Sequence, residues 1–339
     1  MADKRLESVI GKLRGGVSKE EVGSLHSNGY RLLDDDHASY RRLAGGLCVG
    51  EHVDTGELVL VKVVPKESLK SEAQIQKIID EIEVLSSIEE IGVPYLYEVN
   101  YEKGDISIIM EHCPYSLEKY MDQRDTLNER SACHMFCDLV LAVKKLHDND
   151  IAHLRIQKAN IYVKESGSMV LYDFGRCVRY ASDELIRIKY SSVENMCPEA
   201  VADKKFDPKK ADMWSLGLLL FNLLSNSGPF DYVTEPEALP DRVKDAQVIM
   251  PRFISSEAKS LLRSLLQLNP ASRLDINQLM EHPWMVENCP DTFPSPLQTT
   301  DINTAAIMKM SANFKVDKQF HKTMIDSLMT DCKNWLTAK

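Results

Sequence analysis

Long apolar runs are missing from this sequence, and none reaches the roughly 18 residues that a helix needs to cross a bilayer. The first residues, Met1–Lys4, lack the apolar stretch of a signal peptide. Alanine rather than glycine at position 2 excludes N-myristoylation. We therefore expect a cytoplasmic protein that has no membrane partner.

Positive charge is also scarce. The chain has 41 lysines and arginines against 51 aspartates and glutamates, and its formal net charge is −10. Proteins that bind nucleic acid broadly need a basic face, so we expect no nucleic-acid partner. A local basic groove stays compatible with this balance.

Paired cysteine motifs are missing as well, because the 8 cysteines are scattered and none forms a CxxC pair. Cys133 and Cys137 are spaced to share one helix face. Two small core residues are the interpretation of that pair that we favour. Reduced thiols fit the expected cytoplasmic setting.

What the sequence does contain is a change of periodicity along the chain. Short apolar runs at 58–64 and 106–110 predict strands, and residues 71–88 have helical spacing between them. From about residue 128 the pattern becomes helical. The predicted helices are 131–147, 211–224 (apolar all round and therefore buried), 256–268 and 275–281.

These elements predict an α+β fold of two lobes between residues 37 and 286. The first lobe, about 37–112, is small and β-rich with one main helix, and the second, about 113–286, is larger and helical. Residues 1–36 form a predicted N-terminal extension, and residues 287–339 form a linker and a helical C-terminal tail.

Eight short motifs stand in a fixed order across this domain. They are Val59–Lys62 with its strand lysine, Glu81, Met110–Cys113, His153–Asn160, Asp173–Gly175, Cys197–Glu199, Asp212–Gly217 with Arg273, and His282–Met285. In order and spacing they resemble the protein-kinase superfamily. The second lobe and its closing motif are most similar to the calcium/calmodulin-dependent group. The resemblance implies a bilobal protein-kinase fold.

The resemblance also implies which residues are remnants of a nucleotide site. In active kinases the residues at Lys62 and Glu81 pair and serve the nucleotide phosphates, and those at Asn160 and Asp173 hold magnesium. Further nucleotide-binding positions are Leu47, Leu60, Met110, Glu111, Cys113 and Tyr162. The conserved pairs are explained either by architecture, which we favour, or by real contact with ATP and magnesium.

The catalytic loop departs from the family pattern at the position that determines the chemistry. Arg155 stands where the family has the aspartate that accepts the proton of the substrate hydroxyl. An arginine side chain stays protonated at neutral pH and cannot act as a base. Its charge favours a carboxylate partner, for which Asp173 is the candidate, and that pair would compete with magnesium.

Two other positions of this loop are also changed. Gln157 replaces the lysine that neutralises the transferring phosphoryl group, and Leu154 replaces the arginine that binds an activation-loop phosphate. The catalytic positions His153, Arg155 and Gln157 are therefore degenerate, and no intact catalytic set remains. We expect no activation by phosphorylation of the loop.

The nucleotide pocket is altered in two ways. The three glycine positions of the phosphate loop fall at Tyr40, Arg42 and Gly45, and only the last is glycine. Leu60 and Tyr162 are larger than the family residues and are expected to face each other across the adenine slot. They either fill the slot, which we favour, or rotate aside. ATP and magnesium are compatible with the sequence, but no cofactor is expected to be required.

The C-terminal tail suggests a binding segment. Residues 308–315 resemble the junction segment of calcium-dependent protein kinases, and the helical pattern continues to about residue 337 with Trp335 near its end. The helix either packs permanently on the large lobe or binds a partner. The expected partners are other proteins, namely a kinase or a calcium-sensor protein that binds the tail.

These features together predict a signalling protein of the serine/threonine kinase-like type. We expect a pseudokinase that acts as a scaffold or allosteric regulator, with weak or absent nucleotide binding. The alternative is an atypical serine/threonine kinase with weak ATP-dependent phosphotransferase activity, which the conserved Lys62, Glu81, Asn160 and Asp173 support.

Overall fold

A computed structural model of the chain describes residues 29–33, 47–65, 68–102, 105–124, 126–181, 184–188, 193–290 and 292. The chain divides into two compact units. The N-terminal unit takes its described residues from 29–89 and 94–114, and the C-terminal unit takes its own from 90–93 and 115–292. The predicted domain limits at 36 and 286 stay predictions, and the tail segment from 302 lies outside the described residues.

The N-terminal unit contains a five-stranded antiparallel sheet of order β1-β2-β3-β5-β4. Its first strand comes from the segment predicted as an extension, and Tyr30 of that strand pairs with His52. The strands are β1 Tyr30–Leu32, β2 Leu47–His52, β3 Leu58–Val64, β4 Leu96–Glu102 and β5 Asp105–Glu111. Both strands predicted from sequence, 58–64 and 106–110, are confirmed.

Strand β3 positions the predicted lysine, because alternate residues of a strand point to opposite faces. One face contributes to an apolar cluster of Leu32, Val59, Val61, Val63 and Ile109. Lys62 consequently points to the other face of the sheet, where it meets a long helix of this unit.

That helix is α1, Glu72–Ser87, and it confirms the helix predicted at 71–88. It begins after Ser71, whose hydroxyl accepts a hydrogen bond from the Gln74 amide and so caps a free helix N–H. Its buried residues Ile75, Ile79 and Ile82 recur at helical spacing. The same packing buries Glu81 on this helix.

The C-terminal unit is helical, with three very short strand pairings. Its helices and strands are β6 Tyr115–Ser116, α2 Leu117–Asp122, α3 Glu129–Asp148, β7 Ile151–Ala152, β8 Ile161–Val163, β9 Met169–Leu171, β10 Val178–Arg179, α4 Pro198–Val201, α5 Pro208–Ser225, α6 Leu239–Lys244, α7 Ser256–Leu265, α8 Ile276–Met280 and α9 Pro283–Asn288. Strand β6 pairs with β8, β8 with β9, and β7 with β10, all antiparallel.

Helix α5 forms the centre of this unit, and its burial on nearly every side confirms the prediction for 211–224. Asp207 caps it by accepting hydrogen bonds from the amides of Lys209 and Lys210. Gly217 allows a close approach to α7, because a Cβ there would lie 2.8 Å from the Leu266 side chain. The β-rich and helical units together confirm the α+β fold class.

The apolar runs of the sequence are too short to predict a membrane-spanning helix. Among the helices that the structure describes, none is both long and apolar enough to span a bilayer. The buried helix α5, although apolar, is enclosed by the core of its own unit, which includes Leu261 and Leu265 of α7.

Candidate active site

The loop between β7 and β8 is held by one carboxylate, that of Asp212 in α5. Its oxygens accept hydrogen bonds from the backbone amides of His153 and Leu154, each at 2.8 Å, and His147 Nε2 lies 3.0 Å away. Asp212 is fully buried. This capture stabilises Leu154 at φ +60°, in the left-handed region that non-glycine residues avoid.

His153 is buried at the start of this loop and packs against the Asp173–Gly175 motif. Its ring lies edge-on to Phe174 with centroids 4.9 Å apart. Its Nδ1 accepts a hydrogen bond of 3.2 Å from the Arg155 amide. Burial lowers the pKa of His153, so the ring is neutral and serves as a packing and acceptor group.

Arg155 forms an ion pair with Asp173, as predicted from the sequence. Its Nη1 donates to Oδ2 of Asp173, and the two side chains are 23% and 10% exposed. The Asn160 amide donates to the Arg155 carbonyl at 2.9 Å. Arg155 thus contacts both residues that were predicted to hold magnesium.

The resulting group of atoms does not fit a magnesium ion well. Magnesium prefers carboxylate and other oxygen ligands, which Asp173 and Asn160 could supply. One oxygen of Asp173 is already engaged by a guanidinium, however, and the fixed positive charge of Arg155 opposes a divalent cation at the same place. A divalent ion would have to displace Arg155 first.

The N-terminal unit retains the lysine–glutamate pair in full. Lys62 Nζ lies 2.7 Å from each carboxylate oxygen of Glu81. The side chains are 10% and 2% exposed, so the pair is buried. Because each charge satisfies the other within one unit, the pair can hold α1 on the sheet without a nucleotide.

The other predicted nucleotide positions of the N-terminal unit are mostly buried. Glu111, at the end of β5, accepts a hydrogen bond of 3.4 Å from the Tyr95 amide. The buried positions are Leu47, Leu60, Met110 and Cys113. Their roles in nucleotide binding stay predictions.

Tyr162 lies on β8 and is almost completely buried in the C-terminal unit. Its ring packs edge-on against Tyr172 with centroids 5.1 Å apart. Leu60 belongs to the N-terminal unit, so the predicted opposition of Leu60 and Tyr162 across the adenine slot stays a prediction. The glycine-loop positions at 40, 42 and 45 lie outside the described residues.

Gln157 lines a cavity of about 300 Å³ in the C-terminal unit. Lys158, Glu118, Glu194 and Asn195 share its wall. Sequence reasoning missed Lys158 as a wall residue, although it follows Gln157 directly and stands where the family motif has proline. Glu118 and Glu194 carried no signal, because only folding brings these distant segments together.

Leu154, which stands at the position of the phosphate-binding arginine, is 3% exposed. It belongs to an apolar cluster with Tyr180, Phe206 and Trp214. An aliphatic side chain suits these surroundings, and it offers no charge to an activation-loop phosphate. Residues 191 and 192, both serines of the segment between the Asp173 and Cys197 motifs, lie outside the described residues.

Arg273, the late arginine of the large-lobe motifs, has an architectural position. Arg273 is 1% exposed and donates to both oxygens of Glu199, at 3.0 and 3.2 Å. The same guanidinium donates to the Gln267 carbonyl at 3.0 Å and lies over the Trp214 ring. This buried fork connects α4 to the segment that precedes α8.

A family model described as protein kinase domain matches residues 45–285. This chain belongs to the protein kinase family. The match covers both the strand lysine of this kinase domain and its Arg155 loop.

Two curated kinases are similar to the chain. Maternal embryonic leucine zipper kinase of Xenopus tropicalis is 26% identical over 275 residues, which cover 80% of this chain and 42% of the relative. A probable serine/threonine-protein kinase of Dictyostelium discoideum is 26% identical over 283 residues, covering 83% of this chain and 33% of the relative. The chain therefore spans less than half the length of either relative.

Proposed function

We propose that this member of the kinase family is a pseudokinase of the serine/threonine kinase type, which transfers no phosphate and acts as a scaffold or allosteric regulator. The observation that carries the proposal is the ion pair between Arg155 and Asp173. A protonated guanidinium stands at the position of the catalytic base and engages the carboxylate that would hold magnesium.

The charges around the loop support the same conclusion. Phosphoryl transfer depends on positioned cations that stabilise negative charge on the transferred group. Gln157 is uncharged where the family has lysine. The positive charge of Arg155 is paired with Asp173 rather than directed at a phosphate. We therefore propose that ATP and magnesium are not required and that any nucleotide binding is weak.

Transfer of labelled phosphate from ATP to the chain itself and to general protein acceptors tests the proposal directly. We expect no incorporation by the full chain above that of a Lys62→Ala variant prepared in the same way. Incorporation by the wild type that disappears in Lys62→Ala would refute the proposal, because a contaminating kinase would not depend on Lys62.

Nucleotide binding is a separate measurement. With millimolar ATP, with and without magnesium, we expect an unchanged thermal unfolding midpoint for the wild type. We expect Arg155→Ala to gain a magnesium-dependent shift, because the substitution frees Asp173 from its guanidinium partner. A magnesium-dependent shift in the wild type would show that Arg155 does not block the site.

One observation favours a second candidate, an atypical kinase of weak activity. Lys62 contacts both carboxylate oxygens of Glu81, and active kinases use this ion pair. Arg155 bonds to both Asn160 and Asp173, so the two residues of the family's magnesium site lie near each other. An Arg155→Asp variant separates the candidates. Restored phosphate transfer in this variant would mean that only the base was lost, whereas continued inactivity would extend the loss to Gln157 and the pocket.

We further propose that this protein acts in the cytoplasm and binds other proteins there. Within the kinase family we place it nearest to the calcium/calmodulin-dependent group. The support is the tail sequence, in which residues 308–315 resemble a kinase junction segment. Calorimetric titration of a calcium-sensor protein into the full chain, with calcium and with chelator, tests this partner. Equal heats under both conditions would count against it.

A further inference from the structure

Three buried thiols meet in the C-terminal unit, away from the catalytic loop. Cys133 and Cys137 lie on α3, and Cys289 follows the end of α9. Their three Sγ atoms lie within 4.8 Å of one another. The exposed fractions are 0%, 3% and 1%, so the group is closed to solvent. The helical spacing of the first two was visible in the sequence, but the third joins them only through folding.

A fourth sulfur lies beside this group. The Sδ atom of Met285 is 4.0 Å from Cys133 Sγ. Two sulfurs that bind one ion at about 2.3 Å are about 3.8 Å apart in a tetrahedral site and about 4.0 Å apart in a trigonal one. The separation of Cys133 and Met285 matches this spacing, and the three Sγ atoms lie within 4.8 Å of one another.

A disulfide explains this cluster less well than a metal ion does. Cys133 and Cys137 are four residues apart on a helix, where Cβ atoms are about 5–6 Å from each other. A disulfide needs Cβ atoms about 3.8 Å apart, so this pair cannot bond without unwinding α3. Any bridge would have to use Cys289 and would leave one thiol unused, whereas an ion uses all three.

We propose that Cys133, Cys137 and Cys289 bind a thiophilic metal ion, Zn²⁺ or Cu⁺, with the Met285 thioether as the nearest further donor. Thiolates and thioethers are the ligands these soft ions select. Binding of Zn²⁺ to the three thiols forms three Zn–S bonds and releases three protons, which leaves one net negative charge on the site.

The proposed ion would fasten the end of the kinase domain to α3. The family match ends at residue 285, and Cys289 lies just beyond it. In the backbone the Cys289 amide donates to the Met285 carbonyl at 2.9 Å, which places the third thiol at the end of α9. The metal would connect this last helix to α3 and so stabilise the unit, and this role does not depend on the proposed lack of catalysis.

Metal titration of the full chain tests the site. The reduced, chelator-treated protein would receive Zn²⁺ alone, Cu⁺ alone, or Co²⁺ as a spectroscopic probe. We expect one ion per chain, an intense thiolate-to-cobalt absorption band, and a rise of about 5 °C in the unfolding midpoint at saturating Zn²⁺.

The matched variants are Cys289→Ser, inside the cluster, and Cys197→Ser, a buried thiol outside it. We expect Cys289→Ser to weaken binding by more than the roughly 100-fold that a lost outer-shell contact costs, and Cys197→Ser to bind as the wild type does. Equal binding by wild type and Cys289→Ser would overturn the proposal. If Cys289→Ser does not fold, the wild type alone decides, because a missing cobalt–thiolate band and an unchanged midpoint would also overturn it.

Discussion

Two ion pairs of this kinase domain, Lys62–Glu81 in the N-terminal unit and Arg155–Asp173 in the C-terminal unit, have the same chemistry and different consequences. In the N-terminal unit Lys62 reaches both oxygens of Glu81, and the pair is nearly closed to solvent. In the C-terminal unit Arg155 engages one oxygen of Asp173, and the pair is more exposed. The first is the pairing that active kinases have, whereas the second consumes a carboxylate that active kinases use otherwise.

The difference shows why conserved motif residues alone do not establish catalysis. Lys62 and Glu81 satisfy each other inside their own unit, so a structural requirement is enough to maintain them. Removing one partner would leave the other charge buried and unpaired, which is strongly destabilising. Stability alone therefore favours both residues, whether or not nucleotide binds. The proposed lack of catalysis therefore rests on the second pair rather than on the first.

The largest effect is expected where the loop of the second pair is anchored. Asp212→Ala leaves two backbone amides and His147 without their acceptor, and each loss costs about 1–3 kcal/mol. We expect a loss of about 4 kcal/mol in the free energy of unfolding, measured with urea. Asp212→Asn, which keeps one carbonyl oxygen, should lose less. A loss under about 1 kcal/mol would show that the loop keeps its shape without Asp212.

Removing the cation of the first pair is expected to have the next largest effect. Lys62→Ala leaves Glu81 charged and buried, and breaking a buried pair in this way costs about 3 kcal/mol or more. The double variant Lys62→Met with Glu81→Leu serves as the control, because apolar replacement of both charges is often close to neutral. Equal destabilisation by the single and double variants would contradict the interpretation of Lys62–Glu81 as a mutually satisfied pair.

Removing the cation of the second pair should cost much less stability. Solvent reaches both Arg155 and Asp173, so we expect Arg155→Ala to lose about 1 kcal/mol in urea unfolding. Arg155→Lys keeps the charge and should lose less. If Arg155→Ala destabilised the chain as much as Lys62→Ala, the second pair would be structural too, and the contrast between the units would fail.

The carboxylate of Glu129 is stabilised mainly by hydrogen bonds rather than by a cation. Burial by itself raises the pKa of Glu129, but hydrogen bonds from Ser255 and Trp284 outweigh it and lower the pKa. The native state then binds fewer protons than the unfolded state, so this contribution to stability is present above about pH 4.5 and is lost as the pH falls through the folded pKa.

Glu129→Gln is the corresponding variant, and we expect a loss of about 1 kcal/mol at pH 7 that shrinks as the pH falls below about 4.5. Urea unfolding of both proteins between pH 3 and 7 measures this difference. A gap that stays constant across the range would mean that the charge of Glu129 contributes nothing beyond its hydrogen-bonding shape.

Much of this protein was determined by its sequence alone. Periodicity predicted the strands at 58–64 and 106–110 and the helix at 71–88, because local burial of one face dictates these periods. The motif series implied the kinase fold, and the chemistry of arginine was enough to predict its pairing with Asp173. These features depend on neighbours in the chain or on residue type.

The remaining features were decided by tertiary structure. Only folding brings Asp212 beneath the amides of His153 and Leu154, places Glu194 on the Gln157 cavity wall, and carries Cys289 to the two thiols of α3. Each of these contacts joins segments far apart in sequence, and no local pattern encodes which distant side chain will fill a given position. Hydrogen bonds and sulfur contacts of this kind form once the core has fixed the helices in place.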